Sequence, residues 1–180
     1  MKVAHAAVVL AAGGSTRLGR PKQLLTRDGE TLVHRAARLA IATGATRVLV
    51  VTGAQAEDVA GAVSDLPVEC LVNAQWHEGL AGSVRIAAEA LNHPTGATLL
   101  LACDQLALDA AHLQTLLEAA RRTASSSAAT RLGDRIGIPA VVAPGMLQVA
   151  QGVQGARGLR GALGAPSAGV MGCDVRDLAL

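Results

Sequence analysis

The chain has 180 residues, 51% hydrophobic and 17% charged, enough to bury a full core, and residues 1–180 are expected to form one domain rather than a disordered chain. Its 16 basic and 14 acidic residues leave a net charge of +2, too balanced for a protein that coats nucleic acid, and one Trp with no Tyr or Phe excludes an aromatic base-stacking platform. No run of 18 apolar residues lacks a charge or glycine, so no membrane partner is expected, and Cys70, Cys103 and Cys173, without CxxC spacing, speak against disulfides or structural zinc and for a cytoplasmic setting.

Along the chain, Ala6–Ala11 is a continuous apolar run and reads as a buried first strand. It does not read as a signal peptide, because Gly13-Gly14 and then Arg17 and Arg20 break it at once. Thr31–Ala42 has helical spacing, with Leu32, Ala36, Leu39 and Ala40 on one face. Arg47–Thr52 is a short buried strand, Ala56–Val63 a helix, and Val68–Val72 a third strand. Leu80–Leu91 is a helix stopped by Asn92 and Pro94. Thr98–Ala102 is a fourth buried strand, and Asp109 caps a helix running to Arg122. Beyond it the pattern weakens. Ala128–Leu132 and Pro139–Ala143 read as strands about a turn at Gly133-Asp134, the second of them antiparallel. Helices are expected near Pro144–Ala150 and Gly155–Leu163, and a last strand over Ala168–Cys173, ending at Asp174.

Strands that are apolar throughout and alternate with helices imply a doubly wound, mostly parallel α/β sheet covered on both faces. In such sheets ligands lie beyond the carboxyl ends of the strands. The loops to inspect are therefore Ala12–Lys22, Thr52–Gln55, Asn73–Ser83 and Cys103–Leu108.

The first of these, Leu10-Ala11-Ala12-Gly13-Gly14-Ser15-Thr16-Arg17-Leu18-Gly19-Arg20-Pro21-Lys22, is the sharpest feature of the chain. Its small residues free backbone N–H groups for an anion or a base edge, and Arg17, Arg20 and Lys22 add positive charge. It is not a P-loop, since Arg20-Pro21 stands where Lys and Ser/Thr are required. Nor does Gly13 or Gly14 begin the GxGxxG dinucleotide fingerprint. Lys22 stands out because the chain has only two lysines among its 16 basic residues, and a compact ammonium differs in use from a guanidinium. Asp104 follows Leu99-Leu100-Leu101-Ala102-Cys103 at the carboxyl edge of a central strand, whereas Asp109 is better placed to cap the next helix.

The stretch LAAGGSTRLGRPKQLL resembles the signature loop of MobA-like nucleotidyltransferases, and within them the molybdenum cofactor cytidylyltransferases and accessory proteins of xanthine dehydrogenase-type enzymes. Asn73, Trp76, Gly79 and Ser83 match an N-x-x-W-x-x-G-x-x-x-S segment, and LLLACDQ matches a strand ending in Asp-Gln. Gly137 and Pro139–Val142 match a G-x-P-hydrophobic segment, and Gly155-Ala156-Arg157-Gly158 a G-A-R loop. The resemblance implies a Rossmann-like nucleotidyltransferase fold. It implies transfer of CMP from CTP, favoured over GTP because Ala12 gives the LAAG form, onto a phosphorylated acceptor such as molybdopterin, with pyrophosphate released. A molybdoenzyme would be the partner. Leu10, Ala11, Ala12, Gly13, Gly79 and Ser83 would hold the base, Arg17 and Lys22 the phosphates, and Asp104 with Asp174 a Mg²⁺ ion, Asp177 being the other candidate for the second ligand. Arg17, Lys22 and Asp104 would be the catalytic groups.

Two positions depart from the pattern. Leu106 replaces the usual Pro after Asp-Gln, and Ile138 replaces a common His, which leaves the acceptor open between molybdopterin and a sugar phosphate or phospholactate-like compound. A non-catalytic cofactor chaperone is the reading from another class. Cys103 reads as packed core, His77 as a solvated loop residue, and Trp76 as a cover for the pocket or simple packing. His34 and His112 lie in helices without the HExxH pattern, and the absence of GxSxG removes a hydrolase nucleophile.

Overall fold

The computed structural model describes residues 4–15, 18–92, 96–152, 156–165 and 169–174. Strands β1 (His5–Ala11), β4 (Arg47–Thr52), β5 (Glu69–Val72), β6 (Ala97–Ala102), β7 (Ala128–Leu132), β8 (Arg135–Val142) and β9 (Met171–Asp174) form one sheet, while β2 (Thr26–Arg27) and β3 (Glu30–Thr31) form a small hairpin. The helices are α1 (Leu32–Ala42), α2 (Ala56–Gly61), α3 (Leu80–Leu91), α4 (Ala110–Arg122), α5 (Pro144–Gly152) and α6 (Ala156–Gly164). None among the described residues is long and apolar enough to cross a membrane.

The sheet order is β5-β4-β1-β6-β8-β7-β9. β1 pairs parallel with β4 and β6, and β4 parallel with β5. β8 pairs antiparallel with both β6 and β7, and β9 parallel with β7. The expected α/β architecture is thus present, with the antiparallel element in the C-terminal third. β1 is buried along its whole length because alternate residues face two separate cores. Ala7, Val9 and Ala11 belong to a core shared with α1, α2 and α4 on one face, and Ala6, Val8 and Leu10 to a core shared with α3, α5 and α6 on the other. Burial on both sides is why these strands carry no polar alternation.

Chain order explains where the site lies. From β1 the chain moves outward through β4 to β5, then crosses to the other side of β1 to lay down β6. The carboxyl ends of β1 and β6 flank this switch point, the place where an open α/β sheet leaves a crevice. The glycine-rich loop leaves one of them and Asp104 the other.

Caps fall where the side chains allow. Thr31 accepts from the His34 N–H at 3.3 Å, and Asp109 from the His112 N–H at 2.8 Å, leaving Asp104 free of the capping role. Three details differ from expectation. β8 begins at Arg135 rather than Pro139, because Arg135 and Gly137 interrupt Ile136 and Ile138 and leave no continuous apolar run there. The β2–β3 hairpin has two-residue strands that are not buried. α2 stops at Gly61, short of Val63. The register between β7 and β8 also shifts after Ala129, a bulge on β8 around Ile138 and Pro139. The carbonyls it leaves unpaired are taken by side chains: Gln105 Nε2 donates to Ile138 O at 2.8 Å and Thr130 Oγ1 to Pro139 O at 2.7 Å.

Candidate active site

The loop after β1 is held by a residue the sequence reading passed over. Gln23 is 2% exposed, and its Nε2 donates to Ala11 O at 2.9 Å and Gly13 O at 2.6 Å. Both donors are consumed, and Oε1 is buried without a protein partner. Ser15, in the left-handed region at φ 49°, accepts at Oγ from the Lys22 N–H at 2.9 Å and fixes the start of a 3-10 turn over Lys22–Leu24. A Cβ at Gly13 would meet nothing within 4 Å, so the space above it is open. A Cβ at Gly14 or Gly53 would come within 2.5 Å of Trp76. Trp76 therefore packs onto two glycines and forms part of the pocket wall, which unites the two roles considered for it.

The loop before α3 supplies the opposite wall. Gly79 has φ 107° and ψ −174°, a conformation open to glycine, and no side chain caps the helix it starts. The first amides of α3 are thus available to a ligand. Ser83 is buried and its Oγ accepts from Asn73 Nδ2 at 3.0 Å, while Asn73 Oδ1 accepts from the Gln75 N–H at 3.0 Å. That network ties the start of α3 to the loop after β5.

These parts enclose a cavity of about 680 Å³ lined by Leu10, Ala11, Ala12, Gly13, Lys22, Trp76, Gly79, Ser83 and Asp104 among others. Every predicted base-binding residue lines it. Across its floor Lys22 Nζ stands 3.8 Å from Asp104 Oδ2, with both side chains about half exposed (48% and 46%). A pair so exposed contributes at most about 1 kcal/mol to stability, so both charges remain available to a ligand. Arg17 and Asp177 lie outside the described residues.

A second cavity of about 630 Å³ opens from the same point and shares Leu80, Ala102 and Asp104 with the first. Its walls come from the loop after β6, from β7 and β8, and from α6. Asp104 stands where two pockets meet, the geometry needed to bring two substrates to one reacting centre.

Asp174 lines neither of the two cavities. β9 runs parallel to β6, so Asp174 ends its strand on the same sheet edge, but β8 and β7 intervene. Three strand spacings place the two strands about 14 Å apart. Asp174 Oδ1 instead faces Arg131 Nε at 3.9 Å and the side chain is 79% exposed.

The discounted residues behave as bystanders. Burial, then the neighbouring Asp104 charge, pushes the Cys103 thiol up to about 12, which leaves no thiolate at neutral pH. None of the three cysteines is disulfide-bonded. His34 is held between Glu30 (Nδ1–Oε1 2.6 Å) and Asp65 (Nε2–Oδ2 3.1 Å), away from both cavities. Burial lowers the His112 pKa, and its Nε2 lies 2.8 Å from Thr130 Oγ1.

Residues 7–170 match the MobA-like NTP transferase domain, and the chain belongs to that family, a class of nucleotidyltransferases. It is 37% identical over 145 residues to nicotine blue oxidoreductase of Paenarthrobacter nicotinovorans, covering 77% of this chain and 71% of that protein. The crystal structure of Rv0371c from Mycobacterium tuberculosis H37Rv superposes with a TM-score of 0.84 at 24% identity, over 97% of this chain and 89% of that one. Rv0371c has also been solved in complex with manganese. A nucleotidyl transferase from Methanothermobacter thermautotroptrophicus gives a TM-score of 0.81 at 24% identity, over 97% and 88% of the two chains. At these identities the structural likeness establishes the fold.

Proposed function

We propose that this chain, as one nucleotidyltransferase domain, transfers CMP from CTP to the terminal phosphate of an acceptor, molybdopterin in our reading, in the cytoplasm. A molybdoenzyme receiving the product is part of the same proposal. The observation that carries it is the position of Lys22 and Asp104, 3.8 Å apart where the two cavities join. In this reading Leu10, Ala11, Ala12 and Gly13, with Gly79 and Ser83, bind the nucleoside. Their small side chains let backbone groups distinguish one base edge from another. Lys22, with Arg17, holds the triphosphate and offsets the charge that grows on the α-phosphate oxygens.

A divalent ion, Mg²⁺ in our reading, fits at Asp104. The carboxylate is half exposed, lines both cavities and is not consumed by a helix cap, and Mg²⁺ is commonly held by one or two carboxylates completed by substrate phosphates and water. Such an ion supplies Lewis-acid stabilisation of phosphoryl oxygens. The chain's own residues do the rest: the loop clamped by Gln23 orients the nucleotide, and the second cavity aligns the acceptor. An acceptor phosphate oxygen bonds to the α-phosphorus as the bond to the bridging oxygen breaks, and pyrophosphate departs with that electron pair. No covalent protein intermediate is needed, since catalysis is positioning plus electrostatics. The test is pyrophosphate release from each of the four triphosphates with Mg²⁺ and molybdopterin. Release with CTP and molybdopterin supports the reading, and no release with any triphosphate overturns it.

The relative's name motivates a second reading, redox turnover on the same scaffold. The loop lacks the dinucleotide fingerprint, and Cys103 is buried with a raised pKa, so neither supplies redox chemistry. Oxidation of NADH or NADPH by the protein in the presence of a dye acceptor, without pyrophosphate release, would favour it.

A further inference from the structure

The second cavity has two kinds of wall. Leu106, Leu132, Ile136, Ile138, Leu159 and Leu163 make it aliphatic, and Leu106 and Leu132 are 39% and 50% exposed, unusual for large apolar side chains. Against this surface stand Arg135, at the start of β8, and Arg160, on α6. Neither makes a hydrogen bond or ion pair among the described residues, which is also true of Arg20, Arg85, Arg121 and Arg122, but of these unpaired arginines only Arg135 and Arg160 line either cavity. Of the neutral polar side chains in the wall, Thr130 Oγ1 is committed to Pro139 O and His112 and Gln105 Nε2 donates to Ile138 O, while Gln105 Oε1 is buried, out of reach of the open cavity, with no partner among the described residues. A polyhydroxylated body would find few partners for its hydroxyls there, and each unpaired hydroxyl would weigh against binding.

We infer that the acceptor has an apolar or flat ring body bearing a second anionic group, in addition to the phosphate that is attacked, and that Arg135 and Arg160 grip this second anion. The inference rests on the nucleotidyl-transfer reading for the identity of the first phosphate. Guanidinium forks from two separate elements suit a carboxylate or phosphate, and the charge-assisted bonds fix which way round the acceptor lies relative to Asp104.

Phenyl phosphate and 4-carboxyphenyl phosphate are the probes, a matched pair differing by one anionic group. Each is titrated by calorimetry into the full chain, with and without saturating CTP and Mg²⁺, and into the R135A/R160A double variant. Because both arginines are exposed, an unchanged melting temperature of the variant verifies its fold. The expected result is that the carboxylated probe binds the unaltered chain about tenfold more tightly, and that the preference falls to about twofold or less in the double variant. CTP affinity should stay within about twofold, since neither arginine lines the nucleotide cavity. Equal affinity for the two probes overturns the inference, and so does a preference that survives in the variant. A tenfold loss of CTP affinity in the variant overturns it as well, because the arginines would then serve the triphosphate. If CTP fails to bind the unaltered chain, the nucleotidyl-transfer reading falls, while the probe preference measured without nucleotide still tests the two arginines.

Discussion

Two charges and two glycines carry opposite kinds of prediction. Lys22 and Asp104 contribute little to stability, so Lys22→Ala and Asp104→Ala should fold normally yet each lower pyrophosphate release by at least about 10²-fold, the scale of one lost transition-state contact. Unchanged turnover in both would remove the site from this crevice. Gly13 and Gly53 separate ligand space from packing space. A methyl at Gly53 would sit 2.7 Å from Ala12 O and 2.5 Å from Trp76 Cβ, so Gly53→Ala should cost about 1–3 kcal/mol in chemical denaturation. At Gly13 the space is open, so Gly13→Ala should leave stability intact and weaken CTP binding about tenfold or more by calorimetry.

One helix shows how charge anchors the scaffold under the site. At the start of α1, Glu30 receives both Arg38 Nε and Nη2 at 2.8 Å, and His34 bridges Glu30 to Asp65. The Arg38 hydrogen bonds, with help from His34, pull the Glu30 pKa from 4.5 to about 2. Hydrogen bonding to Glu30, then to Asp65, raises that of His34 above 6.5. The lowered carboxyl stabilises the fold above pH 4.5 and loses that contribution as pH falls towards 2. The raised imidazole stabilises it below pH 6.5 and loses that contribution as pH rises through its folded value. Glu30→Gln should therefore cost roughly 1 kcal/mol in the window between those limits and less on either side, read as the difference in melting temperature from pH 2.5 to 8. A flat difference would mean that the network does not titrate as a unit.

Across the molecule, the crevice at the switch point links fold to ligand. Ligand that binds the folded chain alone stabilises it by about 2.7 kcal/mol at 100 times its dissociation constant. CTP with Mg²⁺ should raise the melting temperature in a concentration-dependent way, and Asp104→Ala should reduce the Mg²⁺-dependent part. Chelation with EDTA should lower pyrophosphate release by at least about 10²-fold and be reversed by added Mg²⁺. Activity indifferent to EDTA would separate Asp104 from any metal role.

Much of this was written in local pattern. Residues 6–11, 48–51 and 99–102 are unbroken apolar runs within β1, β4 and β6 because these strands are buried on both faces, and that dictates a covered parallel sheet. The strand-end rule then points to the loops of Lys22 and Asp104 from the sequence alone. Gln23 was hidden because a buried amide holding backbone carbonyls has no sequence period, and the early start of β8 because Arg135 and Gly137 break up the apolar run that Ile136 and Ile138 would otherwise join. The strands that lie between Asp104 and Asp174, the carbonyls freed by the β8 bulge and the meeting of two cavities all depend on which strands pair with which. Periodicity reports the surroundings of each strand, not the identity of its neighbours. Neighbours are chosen by long-range packing, and here that packing inserts two antiparallel strands between carboxylates that the linear order had left free to meet.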